Sequence, residues 1–422
     1  VATILTMPDS VAWLLNIRGA DVKCVPYALS TMIVAADGKA HLFIDPAKLS
    51  DEVRAHLKGK VALHKPEELE SVLSGVMLEG VMKSASKPVL LDSGHAPVYY
   101  RHLVEGAGGS VKEFRDPVLG FKAIKTEAEK TAIRAAHVAD GVAMVKFLEW
   151  LDRDGLNGQQ SEISVAETLE SFRAEEAAFK DLSFETIAGC GPNGAIVHYR
   201  ASEETNRPLE SGTLLLLDSG AQYYGPAFTG TTDITRTVAL GEPSSEMRRH
   251  FTLVLKGHID LAKAQFPAGN KGVQVDVLAR TPLWDEGLDF DHGTGHGVGC
   301  YLGVHEDAAS ISKKGEKPLE AGMLLSNEPG YYKAGAYGIR IENLVFVEKR
   351  DIHPGSGKDW LGFETITLAP IDRRLIDASL LSRPELEWLN DYHARVRKTL
   401  SPLLDEQRKA WLDQATAPIP LP

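Results

Sequence analysis

The sequence predicts an α+β chain in which two similar halves, related by a pseudo-two-fold axis, follow a smaller α/β domain. Three observations carry that expectation. Pro208-Leu-Glu-Ser-Gly-Thr-Leu-Leu-Leu-Leu-Asp-Ser-Gly220 returns 110 residues later as Pro318-Leu-Glu-Ala-Gly-Met-Leu-Leu-Ser-Asn-Glu-Pro-Gly330, identical at seven of thirteen positions. Helix-like and then strand-like segments accompany each copy. The first 122 residues hold a helix and strand pattern of their own and no part of the repeat.

Within 1–122, Asp9 or Ser10 is placed to cap a helix through Val11, Trp13, Leu14 and Leu15. Leu29–Ala35 and His41–Ile44 read as strands flanking Asp37-Gly38, a hairpin signal. Helical patterns follow at 50–57 and 66–79, and Val89–Leu91 closes the set as a short buried strand. No cluster of reactive groups occurs in this part, which reads as a scaffold or oligomerisation domain.

A boundary falls near Phe121–Lys125, so the second domain is taken as 123–422. Thr126-Glu-Ala-Glu129 is a capping box that opens a long helix through Ile133, Val138, Val142, Val145, Leu148 and Leu151. Ser164-Val-Ala-Glu167 opens another through Leu169 and Phe172. Thr186–Ala188, Ala195–Tyr199, Leu214–Asp218 and Thr235–Leu240 read as strands. Helical sequence returns at 245–265 and 273–286, strands at 322–328 and 340–348, and a helical tail at 383–413. Pro418–Pro422 reads as loose chain.

At 422 residues the chain has room for two or three domains with large cores. A net charge of −12 argues against broad binding to nucleic acid or anionic membranes. Cys24, Cys190 and Cys300 are odd in number and widely spaced, which supports neither a disulfide framework nor a cysteine zinc site and suggests a reducing compartment. No apolar run reaches transmembrane length. The chain starts at Val1 without Met or a signal-like segment.

The chemistry lies in the repeat. Its eleventh position is an acid in both copies, Asp218 and Glu328, and each is followed by a second acid, Asp233 at +15 and Glu342 at +14. Taken singly, such acids read as solvated or capping groups at strand ends. Matched offsets in two copies, with His292-Gly-Thr-Gly-His296-Gly-Val-Gly between them, point instead to a metal site. Four carboxylates neutralise two divalent cations, and His296 adds an imidazole. An oxygen-rich set favours Mn²⁺ or a similar hard ion. Two ions about 3.5–4 Å apart polarise a carbonyl and generate a nucleophile at neutral pH. His198 reads equally as a core or a site histidine. Arg236 and Arg340 lie near Asp233 and Glu342 in sequence, and either orient those acids or form structural ion pairs.

These segments resemble the pita-bread metallopeptidases, most closely the X-Pro aminopeptidases (aminopeptidase P) of the long, cytosolic type. The matching motifs are Gly191-Pro-Asn-Gly-Ala-Ile-Val-His198-Tyr, Leu217-Asp218-Ser-Gly-Ala-Gln-Tyr, Thr232-Asp233-Ile-Thr-Arg-Thr, the His292–Gly299 segment, Asn327-Glu328-Pro-Gly-Tyr-Tyr and Gly338-Ile-Arg-Ile-Glu342-Asn. The resemblance spans essentially the whole chain, including Ala12-Trp-Leu-Leu-Asn-Ile-Arg-Gly-Ala-Asp in a creatinase-type N-terminal domain over 1–122.

It implies that Asp218, Asp233, His296, Glu328 and Glu342 bind two Mn²⁺ ions, other divalent metals being possible, and that Glu328 is also general base to the bridging hydroxide. It implies that His198 and His305 contact the scissile region and that His292 and Arg340 form the proline pocket. The implied reaction is hydrolysis of the bond before a penultimate proline in peptide substrates, by a cytoplasmic homodimer that binds neither nucleic acid nor membrane. Two departures stand out. The aspartates are fifteen apart rather than the family's eleven, so Tyr224–Thr229 is expected to form a hairpin extended by about four residues, and residue 1 is expected to begin inside the second of the long type's three domains. The competing expectations are a prolidase-like dipeptidase and a non-catalytic binding module on the same fold.

Overall fold

The computed structural model describes every residue except Val1, 84–87, His353, Pro354, Ser356 and 421–422, and for 79–83 the backbone alone. The chain divides into two compact units, Val1–Lys122 and Ala123–Pro422.

The first unit contains β1 (Ala2–Leu5), α1 (Pro8–Leu15), β2 (Thr31–Ala35), β3 (Ala40–Phe43), α2 (Asp51–Leu57), β4 (Ala62–His64), α3 (Leu69–Lys83), β5 (Val89–Leu91), α4 (Val98–Gly106) and β6 (Val111–Glu113), then the short α5 (Val118–Ala123). The strands form one mixed sheet in the order β4-β3-β2-β1-β5-β6. Its centre is β1, which the sequence reading left out: four residues are too few to show a period. The set does not close at Val89–Leu91, because α4 and β6 follow. Helix α1 begins earlier than expected, with Pro8 in its first turn and Met7, not Asp9 or Ser10, at the cap. Pro8 fits there because its missing N–H would have had no partner in a first turn anyway.

In the second unit, α6 (Glu127–Asp154) starts at the Thr126/Glu129 capping box. Helix α7 (Glu162–Ala174) starts at Ser161, three residues before the expected cap, because Ser161 and Ser164 cap each other reciprocally. Strands β7 (Phe179–Leu182), β8 (Ile187–Cys190), β9 (Thr213–Ser219), β10 (Ala221–Tyr224), β11 (Thr229–Thr231) and β12 (Ile234–Leu240) complete the first half. The second half comprises α8 (Ser245–Ala262), β13 (Gln265–Pro267), α9 (Gly272–Trp284), β14 (Gly295–Gly297), β15 (Glu306–Ile311), β16 (Leu324–Asn327), the hairpin β17 (Gly330–Lys333)/β18 (Tyr337–Arg340), β19 (Asn343–Arg350) and β20 (Trp360–Thr365). Helices α10 (Arg383–Leu400) and α11 (Glu406–Ala415) form the tail. Of the segment expected to be loose, Ile419 is fixed by two hydrogen bonds to the Asn390 side chain, and 421–422 lie outside the described residues.

The duplication is visible in the backbone. Ser161 bridges Pro208 at the start of the first copy, and Lys271 bridges Pro318 at the start of the second. The Leu209 and Leu319 amides donate to the carbonyls of Gln160 and Asn270 at 2.9 and 2.8 Å. Gly212 and Gly322 turn the chain into β9 and towards β16 with φ of 83° and 96°, in the left-handed region that an L side chain resists. The shared Pro-Leu-Glu-x-Gly signature is therefore a helix-to-strand brace used twice.

Sheet β12-β9-β8 carries the first pair of acids and sheet β13-β20-β19-β16-β14-β15 the second. Along β9 the leucines alternate: Leu215 and Leu217 pack with Phe147, Leu151 and Leu169 of α6 and α7, while Leu214 packs with Phe251 and Val254 of α8. Burying each such leucine contributes about 1.5–3 kcal/mol, and this fixes the register in which Asp218 emerges at the strand end. Ala195–Tyr199 is not a strand: Gly191–Ala195 is a short 3₁₀ helix and the following residues form a turn.

Candidate metal centre

The acids converge because paired strands end together. Strands β9 and β12 are antiparallel with Asp218 opposite Thr235, so Asp233 lies at the same end as Asp218. Strands β16 and β19 pair through Asn327 and Asn343, which puts Glu328 and Glu342 immediately beyond that rung. His296 comes in on β14, whose Gly297 is opposite Leu325 of β16. A Cβ on Gly295 would lie 2.0 Å from the Ser326 carbonyl oxygen, so only glycine lets β14 approach this closely. Asp233, His296 and Glu342 each bring one ligand atom within 4.8 Å of the others. His296 Nε2 is 3.5 Å from Asp233 Oδ2 and 3.4 Å from Glu328 Oε1.

Surrounding groups fix each of these side chains. His296 Nδ1–H donates to the Gly297 carbonyl at 2.9 Å, which leaves the Nε2 lone pair turned to the acids. Ser326 Oγ donates to Glu328 Oε1 at 3.1 Å. Thr235 Oγ1 donates to Glu342 Oε2 at 2.8 Å, and Arg340 Nη2 donates to Asp218 Oδ2 at 2.6 Å. Arg340 thus pairs with Asp218 from the other copy rather than with its sequence neighbour Glu342. Arg236 pairs with no acid. It is buried and donates to the carbonyls of Glu342, Ala369 and Pro370 and to the Asn343 side chain, so it braces the backbone beneath the site.

The carboxyl groups crowd one another electrostatically. Burial pushes the Asp233 and Glu342 carboxyls well above the usual carboxylate range, and the neighbouring carboxylates push the same way. Burial also raises Asp218, although Arg340 pulls it back. Glu328 differs. Burial raises it too, but His296, His292 and Arg340 outweigh that and hold it below its ordinary value. Asp218 Oδ1 and Glu342 Oε1 are buried with no hydrogen-bond donor. An unpartnered buried acceptor costs about 1–3 kcal/mol. Two such oxygens among crowded carboxylates and a preset imidazole fit two divalent ions.

A cavity of about 900 Å³ opens over these groups, and His198, His292, His305 and Arg340 also line it. His198 is exposed to it rather than part of the core. His305 packs edge-on to His296 with centroids 4.1 Å apart, and the neighbouring His296 followed by burial holds it down to about 4. Two of these lining residues, Arg340 and His292, are joined by a hydrogen-bonded chain that runs through Tyr332 behind them. Arg340 Nη1 donates to the Tyr332 hydroxyl at 2.7 Å, and that hydroxyl lies 2.8 Å from His292 Nε2. Because His292 Nδ1–H donates to the Gly293 carbonyl, Nε2 accepts from Tyr332. Tyr332 had a signal in Glu328-Pro-Gly-Tyr-Tyr332, four residues past an acid. Thr235 and Ser326 had none beyond adjacency.

Residues 131–349 match the metallopeptidase family M24 model, 359–419 the C-terminal region of peptidase M24, and 1–129 the creatinase/prolidase N-terminal domain. The chain belongs to metallopeptidase family M24. A probable Xaa-Pro aminopeptidase P from Penicillium rubens is 40% identical over 99% of this chain and 68% of its own length, and one from Aspergillus fumigatus is 40% identical over 99% and 64%. The chain thus spans about two thirds of these relatives. A crystal structure of X-prolyl aminopeptidase from Caenorhabditis elegans, described as a cytosolic enzyme with a di-nuclear active site, superposes with a TM-score of 0.92 at 38% identity, over 99% of this chain and 68% of that one. A Bacillus anthracis Xaa-Pro dipeptidase, at 24% identity and a TM-score of 0.69 over 88% of this chain and 94% of its own, shares the fold.

This M24 chain therefore carries the α+β pita-bread fold behind a creatinase-type N-terminal domain, within a family of hydrolases acting on peptides, and the two fungal relatives above are named probable Xaa-Pro aminopeptidases P. Among the described residues no helix is long and apolar enough to cross a membrane.

Proposed function

We propose that the chain removes the N-terminal residue from peptides whose second residue is proline, using two divalent ions held by Asp218, Asp233, His296, Glu328 and Glu342. One observation carries this reading: three buried carboxylates, two with an unpartnered oxygen, and the half-buried Glu328 meet one oriented imidazole at the base of the cavity. Two ions bound there would polarise the scissile carbonyl and activate a hydroxide between them. The oxygen-rich donor set favours Mn²⁺.

Glu328 is the general base in this reading. It is the one acid of the repeat set that its surroundings hold ionised, and Ser326 anchors one of its oxygens. His305, kept neutral, and His198 face the cavity where the tetrahedral centre would form, and either ring can donate or accept a proton there. The Arg340–Tyr332–His292 chain supports the proline pocket. An X-Pro bond has no N–H to offer. His292 and Arg340 line the cavity and are already joined to one another through the Tyr332 hydroxyl, which leaves the His292 ring for apolar contact. The likeness to a cytosolic enzyme supports a cytoplasmic location, and the family resemblance a homodimer.

The deciding experiment offers the Mn²⁺-loaded protein an X-Pro-Y tripeptide and an X-Pro dipeptide. The expected result is release of the first residue from the tripeptide, lost on chelation. Cleavage of the dipeptide alone would move the chain to the dipeptidase reading.

A further inference from the structure

We infer that Glu162, on the first turn of α7, is a positioning residue for His198. The inference rests on the reading of His198 as a group that meets the scissile region. Glu162 is fully buried. It lines no part of the cavity, yet its carboxylate gathers donors from the whole segment that carries His198. Oε1 accepts from the Cys190 amide at 2.7 Å and from Asn193 Nδ2 at 3.0 Å. Oε2 accepts from the Tyr199 hydroxyl at 2.8 Å and from the Arg207 amide at 2.9 Å.

The four donors fall before, within and after the turn that presents His198. Asn193 Nδ2 and the Tyr199 hydroxyl are also 2.8 Å apart, which ties the two sides of that turn together. Inside it the Ile196 amide donates to the Asn193 carbonyl at 3.1 Å and the Tyr199 amide to the Ile196 carbonyl at 3.0 Å. The far end is fixed twice more: the Glu162 amide donates to the Arg207 carbonyl at 3.0 Å, and the Ile163 amide to Asn206 Oδ1 at 3.1 Å. Val197, His198 and Arg200, between these anchors, face the cavity.

An exposed histidine on an irregular turn would otherwise sample many positions. Here one buried carboxylate accepting four hydrogen bonds sets the backbone on both sides of it. The Cys190 contact has a second consequence, because β8 pairs with β9, the strand that carries Asp218. The His198 turn and the acid-bearing strand are therefore indexed to one another through α7.

Glu162→Gln keeps the shape but turns an amide donor towards two other donors. Tyr199→Phe removes one hydroxyl and is the milder variant should the first fold poorly. Each is made alone and with His198→Ala. In otherwise wild-type chain, Glu162→Gln is expected to lower kcat/KM about tenfold or more and Tyr199→Phe a few-fold. With His198 already replaced, both should cost less than about twofold. Equal losses in both backgrounds, or no loss in the first, would overturn the inference. Amide hydrogen exchange gives a readout independent of turnover: either variant should speed exchange across 193–200 while β12 stays protected. Unchanged exchange there would also overturn it, whereas a wild-type protein inert on every X-Pro peptide would count against the proposed reaction and leave the exchange result to decide this point.

Discussion

The two copies of the repeat share a backbone but differ in chemistry. Both enter through a glycine turn braced to a helix start, and both bring two acids to the same end of an antiparallel pair. Yet Asp218 and Asp233 of the first copy are raised from their ordinary values, as is Glu342 of the second, while Glu328 is lowered. The cause is position. Glu328 is the acid most influenced by His296 and His292, both from the segment between the copies. Each copy's acid is also held by the other's side chain: Arg340 reaches Asp218, and Thr235 reaches Glu342. Duplication supplied a symmetric set of oxygens, and an asymmetric insert between the copies sets Glu328 apart from the other three acids, as the proposed division between base and metal ligands requires.

The largest expected effect tests that asymmetry. Glu328→Gln should keep the fold and lose at least about 10²-fold in kcat, as removal of a general base does. Near-wild-type turnover in steady-state assays would remove Glu328 from that role. Next is the seam between the copies. Arg236→Met would remove the guanidinium donor from six acceptors in the core, namely the carbonyls of Thr235, Glu342, Ala369 and Pro370, Asn343 Oδ1 and the Tyr392 hydroxyl. Urea titration should record a loss of about 3 kcal/mol or more. A loss under about 1 kcal/mol would mean that the halves hold together without it.

The ease with which the repeat is read from sequence has a physical reason. A ligand just past a glycine turn and an apolar strand carries its own local signature, so Asp218, Asp233, Glu328 and Glu342 are legible. The supports are not, because Thr235 and Arg340 act on acids in the opposite copy, more than 100 residues away. Ala195–Tyr199 was misread for the same reason. Its Ala-Ile-Val run has strand composition, but the turn is imposed by Glu162, on a helix distant in sequence. Strand β1 was missed because its burial comes from neighbours on both sides of a sheet and not from any period of its own.

A third effect distinguishes the site with and without metal. Asp218, Asp233 and Glu342 have folded-state values raised above their unfolded ones, so without metal the folded chain takes up protons at a higher pH than the unfolded chain does. Their contribution to stability is full below about pH 4 and is lost as pH rises through the raised values. Bound cations reverse that cost but need the acids ionised. The rise in Tm on adding Mn²⁺ should therefore be larger at pH 7.5 than at pH 5, equivalent to about 2–3 kcal/mol at a hundredfold excess over Kd. Buried His258 and His393, each held at about 3 by burial and then by Arg236, make the folded chain less stable as pH falls below 6.5. That effect is present with and without metal, and it cancels in the difference. An equal rise at both pH values would contradict the assignment of these acids.

The smallest effect concerns where the first copy has grown. Gly225–Phe228 joins β10 to β11 beyond the paired rungs Gln222–Thr231, Tyr223–Gly230 and Tyr224–Thr229. Replacing it with a two-residue turn should change kcat by less than about threefold and leave metal binding intact, since exposed hairpin tips tolerate such changes. A large loss would assign the extension a part in the cavity.

The most direct measurement is elemental analysis of the purified chain after equilibration with Mn²⁺. Two ions per chain are expected, falling to one or fewer in His296→Ala and Glu342→Gln with the far-ultraviolet circular dichroism unchanged. A correctly folded wild-type chain that retains no divalent metal would contradict the assignment of Asp218, Asp233, His296, Glu328 and Glu342 as its ligands.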